Sequence, residues 1–186
     1  MDAIELLKTR ASNGKLVEPA PDEQSLRIAL EAAARAPDHG TLRPWRVHLV
    51  RGEARARLGD LMAAAQKRKN PNATDDDLDK ARKKALRAPL ILVVSAIVKP
   101  HPKVPELEQI VCAGTAAHAI LLALQARGYA AIWKTGAPAY DLELKQAFGL
   151  GSQDALVGFI YAGTAAQPAP TMARPAPEAF TQDWKG

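Results

Sequence analysis

Between Ile110 and Leu124 only Thr115 and His118 are polar, and Glu108, Gln125 and Arg127 bracket the run. A helix apolar on every side has no face to offer water, so it belongs inside a core. The run is shorter than the roughly 20 apolar residues that a bilayer demands. The pattern therefore predicts a buried soluble helix over 106–127, stopped by Gly128, where glycine readily takes φ > 0. Ala113, Gly114, Ala116, Ala117, Ala119 and Ala123 leave much of its surface free of bulk, so other backbones are expected to approach closely. Tyr129 to Trp133 then read as a short strand ending in Lys134-Thr135-Gly136.

The remaining elements follow from the same periodicities. Asp2 is placed to cap a first helix over 3–9, with Ile4, Leu6 and Leu7 inward. A second helix starts at Asp22 and carries Leu26, Ala29, Leu30 and Ala33 on one face before Pro37 ends it. Alternation from Trp45 to Arg51 predicts a strand with one better-buried face. A helix over 53–67 places Leu58, Leu61, Met62 and Ala65 inward, and the polar stretch 66–77 is expected to be a mobile loop and candidate lid. Asp75 or Asp76 would cap the next helix, whose basic end suits the helix dipole. Ala88 to Val98 are continuously apolar and β-branched, the mark of a central strand buried on both faces. A short helix over 141–148 and a strand over 155–163 complete the series, and Gly158 inside that strand predicts close approach by a backbone or a ligand. The fold class is α+β: a four- or five-stranded mixed, mostly antiparallel sheet wrapped by helices, in one domain spanning 1–186. Its tail, 167–186, is a proline-rich arm bearing Phe180 and Trp184, suited to lying across a neighbouring subunit.

Composition narrows the function. The chain has 186 residues, 47% hydrophobic and 24% charged, with net charge +5. That is ordinary globular usage. Basic residues are interleaved with acidic ones and no nucleic-acid motif appears, so nucleic acid is not expected as a partner. The single cysteine, Cys112, falls in the apolar helix and excludes an internal disulfide framework. No HxxxH or CxxC spacing supports a metal site. The N-terminus lacks the features of a signal peptide, and a cytoplasmic location is expected. No GxGxxG follows a strand, and no GxSxG or P-loop occurs. Two polar stretches stand out instead. Arg10, Ser12 and Lys15 around Asn13-Gly14 offer two cations, a hydroxyl and backbone N–H groups to a phosphate, although a solvated basic loop gives the same pattern. Arg35 to Trp45 is dense in polar groups yet stiffened by Pro37, Gly40 and Pro44, as binding loops often are.

Taken in order, Arg10-x-Ser12, Ala36-Pro37 followed by Pro44-Trp45, Gly128 through Trp133-Lys134-Thr135-Gly136, and Gly158-Phe159-Ile160-Tyr161-Ala162-Gly163 resemble the FMN-dependent nitroreductase family. The Arg35–His39 run, RAPDH, looks most like its minimal short-chain branch. The resemblance implies a nitroreductase-like fold and a homodimer whose long helices meet at the interface, with FMN in the cleft between subunits. It implies that Arg10, Ala11 and Ser12 contact the phosphate and ribityl end, that Arg35 and His39 reach the flavin from the other chain, and that Trp133, Lys134 and Thr135 line it. Family members usually carry a second arginine where this chain has Ala11. The implied activity is hydride transfer from NAD(P)H through flavin N5 to a nitroaromatic or quinone-like acceptor, by a ping-pong mechanism with no catalytic side chain. Other flavin chemistry on the same fold (an ene-reductase or a dehydrogenase) and a non-enzymatic flavin-binding role are the alternatives. His118 has no role in this reading beyond that of a satisfied core or interface histidine.

Overall fold

In the computed structural model, which describes residues 2–186, the elements run α1 (Ala3–Thr9), β1 (Leu16–Val17), α2 (Glu23–Ala33), β2 (Trp45–Arg51), α3 (Ala54–Lys69), α4 (Asp75–Lys84), β3 (Leu90–Ala96), α5 (Glu106–Ala126), β4 (Ala130–Lys134), α6 (Leu142–Ala147) and β5 (Ala155–Ala165). β5 is the hub of the sheet. It pairs with β1, β3 and β4, and β3 pairs onward with β2. Every one of these pairings is antiparallel, a more regular sheet than the mixed one expected.

All seven residues of β3 are buried, because β2 and β5 flank it and helices cover both faces. Leu90, Leu92 and Val94 join Leu26, Ala29, Ala116, Ala117, Ile120 and Leu124 in a core between the sheet and helices α2 and α5. Ile91 and Val93 enter a second core with Leu58, Met62, Leu144, Phe159 and Tyr161 on the opposite face. A continuous apolar strand is what two covered faces require.

Helix α5 departs from the expectation of burial all round. By length and composition it is apolar enough to cross a membrane, yet Ala116 and Ala117 have zero exposure within the core that α5 shares with α2 and the sheet. These small residues let the helix pack closely within the subunit. The other side of α5 is open, with Leu107 69% and Val111 59% exposed, and Thr115 and His118 exposed further along the helix. The apolar run carried no periodicity by which to tell these sides apart. At the C-terminal end Gly128 takes φ 85°, and Tyr129 N–H donates to Leu124 C=O at 2.9 Å, closing the last turn as a glycine C′ residue permits.

Three local expectations are revised. Asp2 caps α1 by accepting from Ile4 and Glu5 N–H groups, but Ile4 and Leu7 are exposed instead of inward. This seven-residue helix therefore presents an apolar face outward. The supposed lid over 66–77 is mostly helical: α3 runs to Lys69 and α4 begins at Asp75, leaving a short turn between them. Thr74, rather than Asp75 or Asp76, is the N-cap. Its hydroxyl oxygen accepts from Asp77 N–H while the Asp77 carboxylate accepts from Thr74 N–H, a reciprocal box that pins the turn. The arm beyond β5 is exposed, with Phe180 70% and Trp184 91% accessible.

Candidate functional site

Trp133 organises the site. Successive strand residues face opposite sides, so on β4 Ala131 and Trp133 face the α2–α5 core while Ala130 and Ile132 face the other. The indole lies over Gly158, which registers with Val94 at a β-bulge where the pairing shifts between Val94 and Ser95. A Cβ on residue 158 would fall 2.1 Å from Trp133 Nε1 and 2.6 Å from its Cδ1. The close approach expected at Gly158 is therefore made by this ring. Trp133 Nε1–H donates to Val157 C=O at 3.2 Å, and the far edge of the ring comes within 3.9 Å of the Cβ position of Gly114 on α5. Two glycines and one hydrogen bond thus fix the plane of the ring.

Beside the ring lies a hollow of about 390 Å³ lined by Arg10, Ser12, His118, Leu121, Trp133 and Thr135. The loop after α1 is held against it from several directions. Ala11 N–H donates to Gln125 Oε1 at 3.3 Å. Asn13 N–H donates to Ala131 C=O at 3.1 Å. The buried Asn13 side chain accepts from Lys15 N–H and donates to Gln167 C=O at 2.7 Å, tying the loop to the base of the C-terminal arm. Arg10 leaves α1 at its C-terminal end, and its guanidinium donates to Ser12 Oγ at 3.4 Å. No carboxylate lines the hollow. A free cation and a hydroxyl at one end, with Trp133 and Leu121 along the wall, suit a ligand with an anionic end and a flat apolar body.

Of the expected cofactor residues, Arg10, Ser12, Trp133 and Thr135 come together here. Ala11 contributes a backbone anchor to Gln125. Lys134 does not join them: alternation turns its side chain to the other face of β4, into a separate cleft with Arg87 and Tyr161. Lys15 also turns away into that cleft instead of reinforcing Arg10. His39 is distant within one chain, and Arg35 does not line the hollow. His39 Nδ1 lies 2.7 Å from Glu108 Oε2, at the N-terminal end of α5. Leu121 is about 20 Å further along that helix at 1.5 Å rise per residue.

The loop carrying His39 is strained and well braced. Gly40, Thr41 and Arg43 have φ of 73°, 53° and 49°. Left-handed Thr and Arg are uncommon and persist only where the surroundings over-determine them. Here the Asp38 carboxylate accepts from Leu42 N–H at 3.1 Å and Arg43 N–H at 2.8 Å, and Lys99 Nζ donates to Leu42 C=O. Buried Gln109 bridges the connection into α5, accepting from Lys99 N–H and donating to Lys99 C=O and Val104 C=O. Cys112 is buried, as expected, and burial with Asp38 nearby pushes its thiol pKa up, away from reactivity. Among the described residues no group of three or more His, Cys, Asp or Glu side chains could hold a metal ion.

His118 and Leu121 were not expected at the site, and Gln125 was expected only near it, in the 123–128 stretch that the family resemblance sets beside the nicotinamide nucleotide. They stand at i, i+3 and i+7 on one side of α5, and one of the two polar residues in the apolar run was the available signal.

A five-stranded antiparallel sheet capped by a long helix, with an anion-ready loop and an aromatic wall at the helix–sheet seam, defines an α+β small-molecule-binding domain. The chain belongs to the nitroreductase family: the model described as "Nitroreductase family" matches residues 7–164. It is 41% identical over 164 residues to the protein named "Putative NAD(P)H nitroreductase YdjA" from Escherichia coli K12, covering 88% of each chain. It is 39% identical over 165 residues to the Haemophilus influenzae protein named "Putative NAD(P)H nitroreductase", covering 88% of this chain and 89% of the relative. The nitroreductase-like family protein from Bacillus cereus shares the fold, with a TM-score of 0.84 at 22% identity over 100% of this chain and 97% of that one. So does a Bacteroides fragilis nitroreductase solved with bound FMN, at TM-score 0.74 and 19% identity over the full length of both.

Proposed function

We propose that this protein is a homodimeric, FMN-dependent oxidoreductase that takes hydride from NAD(P)H and delivers it to a nitroaromatic or quinone-like acceptor. The observation that carries the reading is the convergence of Arg10, Ser12, His118, Leu121, Trp133 and Thr135 on one hollow, in a chain of the nitroreductase family. Bound FMN would supply the redox chemistry, accepting hydride at N5 and passing it on. The chain's own residues fit that group. Arg10 and Ser12 would hold the phosphate by charge-assisted hydrogen bonds. Trp133, fixed over Gly158, would form a rigid wall, and Thr135 and the Lys134 backbone would flank the ring.

The dimer is part of the proposal. The exposed stripe of α5 is the kind of apolar surface that marks an interface. If two copies cross antiparallel near Thr115, a two-fold axis brings the N-terminal end of one α5 over the Leu121 end of the other. Arg35 and His39 of the partner subunit would then complete a hollow that is too distant from the same chain's own loop. The exposed arm bearing Phe180 and Trp184 would cross to the same partner. Donor and acceptor would use one slot in turn, which makes the kinetics ping-pong. A cytoplasmic site of action is proposed with this chemistry, since NAD(P)H is its electron source.

Anaerobic addition of NADPH to the purified yellow protein tests the reading. Bleaching of the flavin band, reversed by a nitroaromatic or quinone, is expected. Colour without bleaching would point to a binding role, and a protein that takes up no FMN on reconstitution would refute the proposal.

A further inference from the structure

The sheet face behind β4 carries a second cleft. Two adjoining hollows of about 500 and 610 Å³ share Arg87, Lys134 and Tyr161. Lys15 lines the first, with Leu16, Val17 and Ile132 as an apolar floor. Lys69 and Lys84 line the second. Five cations therefore surround the cleft, and no aspartate or glutamate lines either half. Basic residues on the neighbouring helices α3 and α4 are paired: Arg68 with Asp141 and Glu143, and Arg82 and Lys83 with Asp79. None of the five side chains in the cleft makes an ion pair among the described residues. Unbalanced cations around a concavity with a low-dielectric floor focus a positive field into it.

Tyr161 supplies the second observation. It is 3% exposed, lies in the core behind β4, and lines both halves of the cleft. Buried tyrosines ordinarily find a partner for the hydroxyl. Among the described residues the Tyr161 hydroxyl has none, yet it is not sealed off, since the fully buried side-chain atoms left without a partner are His48 Nδ1 and Ser95 Oγ. Burial pushes its pKa up to about 12, with Arg87 opposing. The hydroxyl therefore stays protonated and stands ready as a donor beside Arg87.

We propose that this cleft is an anion site for a phosphate-bearing small molecule, separate from the Arg10–Trp133 hollow. The phosphate oxygens accept from Lys15, Arg87, Lys134 and the Tyr161 hydroxyl, and the body of the ligand lies on Leu16, Val17 and Ile132. Trp133 and Thr135 border both sites, so a phosphate in the cleft lies next to the proposed flavin pocket without occupying it. Two sources share this chemistry: the phosphate-rich half of the nicotinamide nucleotide, or a free phosphorylated metabolite.

The test is a calorimetric titration of the protein, as purified with its flavin, using inorganic pyrophosphate. Saturable binding is expected, weakened about tenfold or more by Lys15→Gln combined with Arg87→Gln, and several-fold by Tyr161→Phe. The last variant removes only a hydroxyl and preserves the fold. Repeating the titration with adenosine 2′,5′-bisphosphate and with 5′-AMP separates the sources: tighter binding of the bisphosphate assigns the cleft to the 2′-phosphate of NADPH, and equal binding assigns it to a free phosphorylated ligand. No saturable binding at millimolar pyrophosphate, or binding indifferent to all three substitutions, overturns the proposal. Release of flavin by pyrophosphate also overturns it, because the cleft would then belong to the flavin pocket. If the purified protein holds no flavin, the same titration still reads the cleft, so the two proposals fail separately.

Discussion

Gly158→Ala is the sharpest probe of how the site is built. The added methyl would sit 2.1 Å from Trp133 Nε1, 2.6 Å from its Cδ1 and 2.9 Å from Lys134 C=O. The carbonyl belongs to the β4 ladder and cannot yield, so the indole must move. Overpacking of this kind costs about 1–3 kcal/mol. Displacing the ring also breaks its hydrogen bond to Val157 C=O, a further net loss of about 0.5–1.5 kcal/mol. The expected destabilisation is about 2–4 kcal/mol, read by urea unfolding. Because the clash involves one partner above all, strong coupling to Trp133 is expected. In a Trp133→Leu background the smaller side chain can withdraw, and Gly158→Ala should lose at least half of its cost in a double-mutant cycle. Flavin occupancy should fall in the single variant, since the ring is the wall of the proposed pocket. A Gly158→Ala protein with unchanged stability, or one equally destabilised with and without Trp133, would refute the account.

Three further outcomes are expected. Arg10→Ala removes a charge-assisted contact worth about 1.5–3 kcal/mol, so the purified protein should lose FMN, measured as the flavin-to-protein absorbance ratio; full occupancy would exclude Arg10 from the phosphate end. Val111→Glu places a charge on the exposed stripe of α5 and should yield a monomer on a sizing column, with an unaltered dimer arguing against that face as the interface. Asp141 has its pKa held below the usual carboxylate value, first by its hydrogen bond from Arg68. A lowered folded-state pKa adds stability above the ordinary value near 3.9, and that contribution disappears as pH falls through the folded value. Asp141→Asn should therefore flatten the loss of stability below about pH 4 relative to the parent protein, while a parallel acid profile would show that the pair contributes nothing.

Much of this protein is legible in the order of its residues. Helix and strand periods placed α2, β3, α5 and β5 within a few residues, because each depends on which side chains water must not touch. The cap at Asp2, the stop at Gly128 and the close approach at Gly158 are local backbone chemistry, readable from one or two residues. The motif order singled out Arg10, Ser12, Trp133 and Thr135, which line one hollow. Tertiary structure decided the remainder, where two sides of an element look alike in sequence. Nothing in an apolar run distinguishes the face of α5 that packs on the sheet from the face left open at Leu107, Val111 and His118; only the position of the sheet does. The strand pleat sent Lys134 away from Trp133, and the fold of the 10–15 loop sent Lys15 away from Arg10, since a cation belongs to whichever hollow its backbone direction opens onto. The separation of His39 from Arg10 is a distance along α5, and a linear chain carries no distances between residues that meet only after it folds.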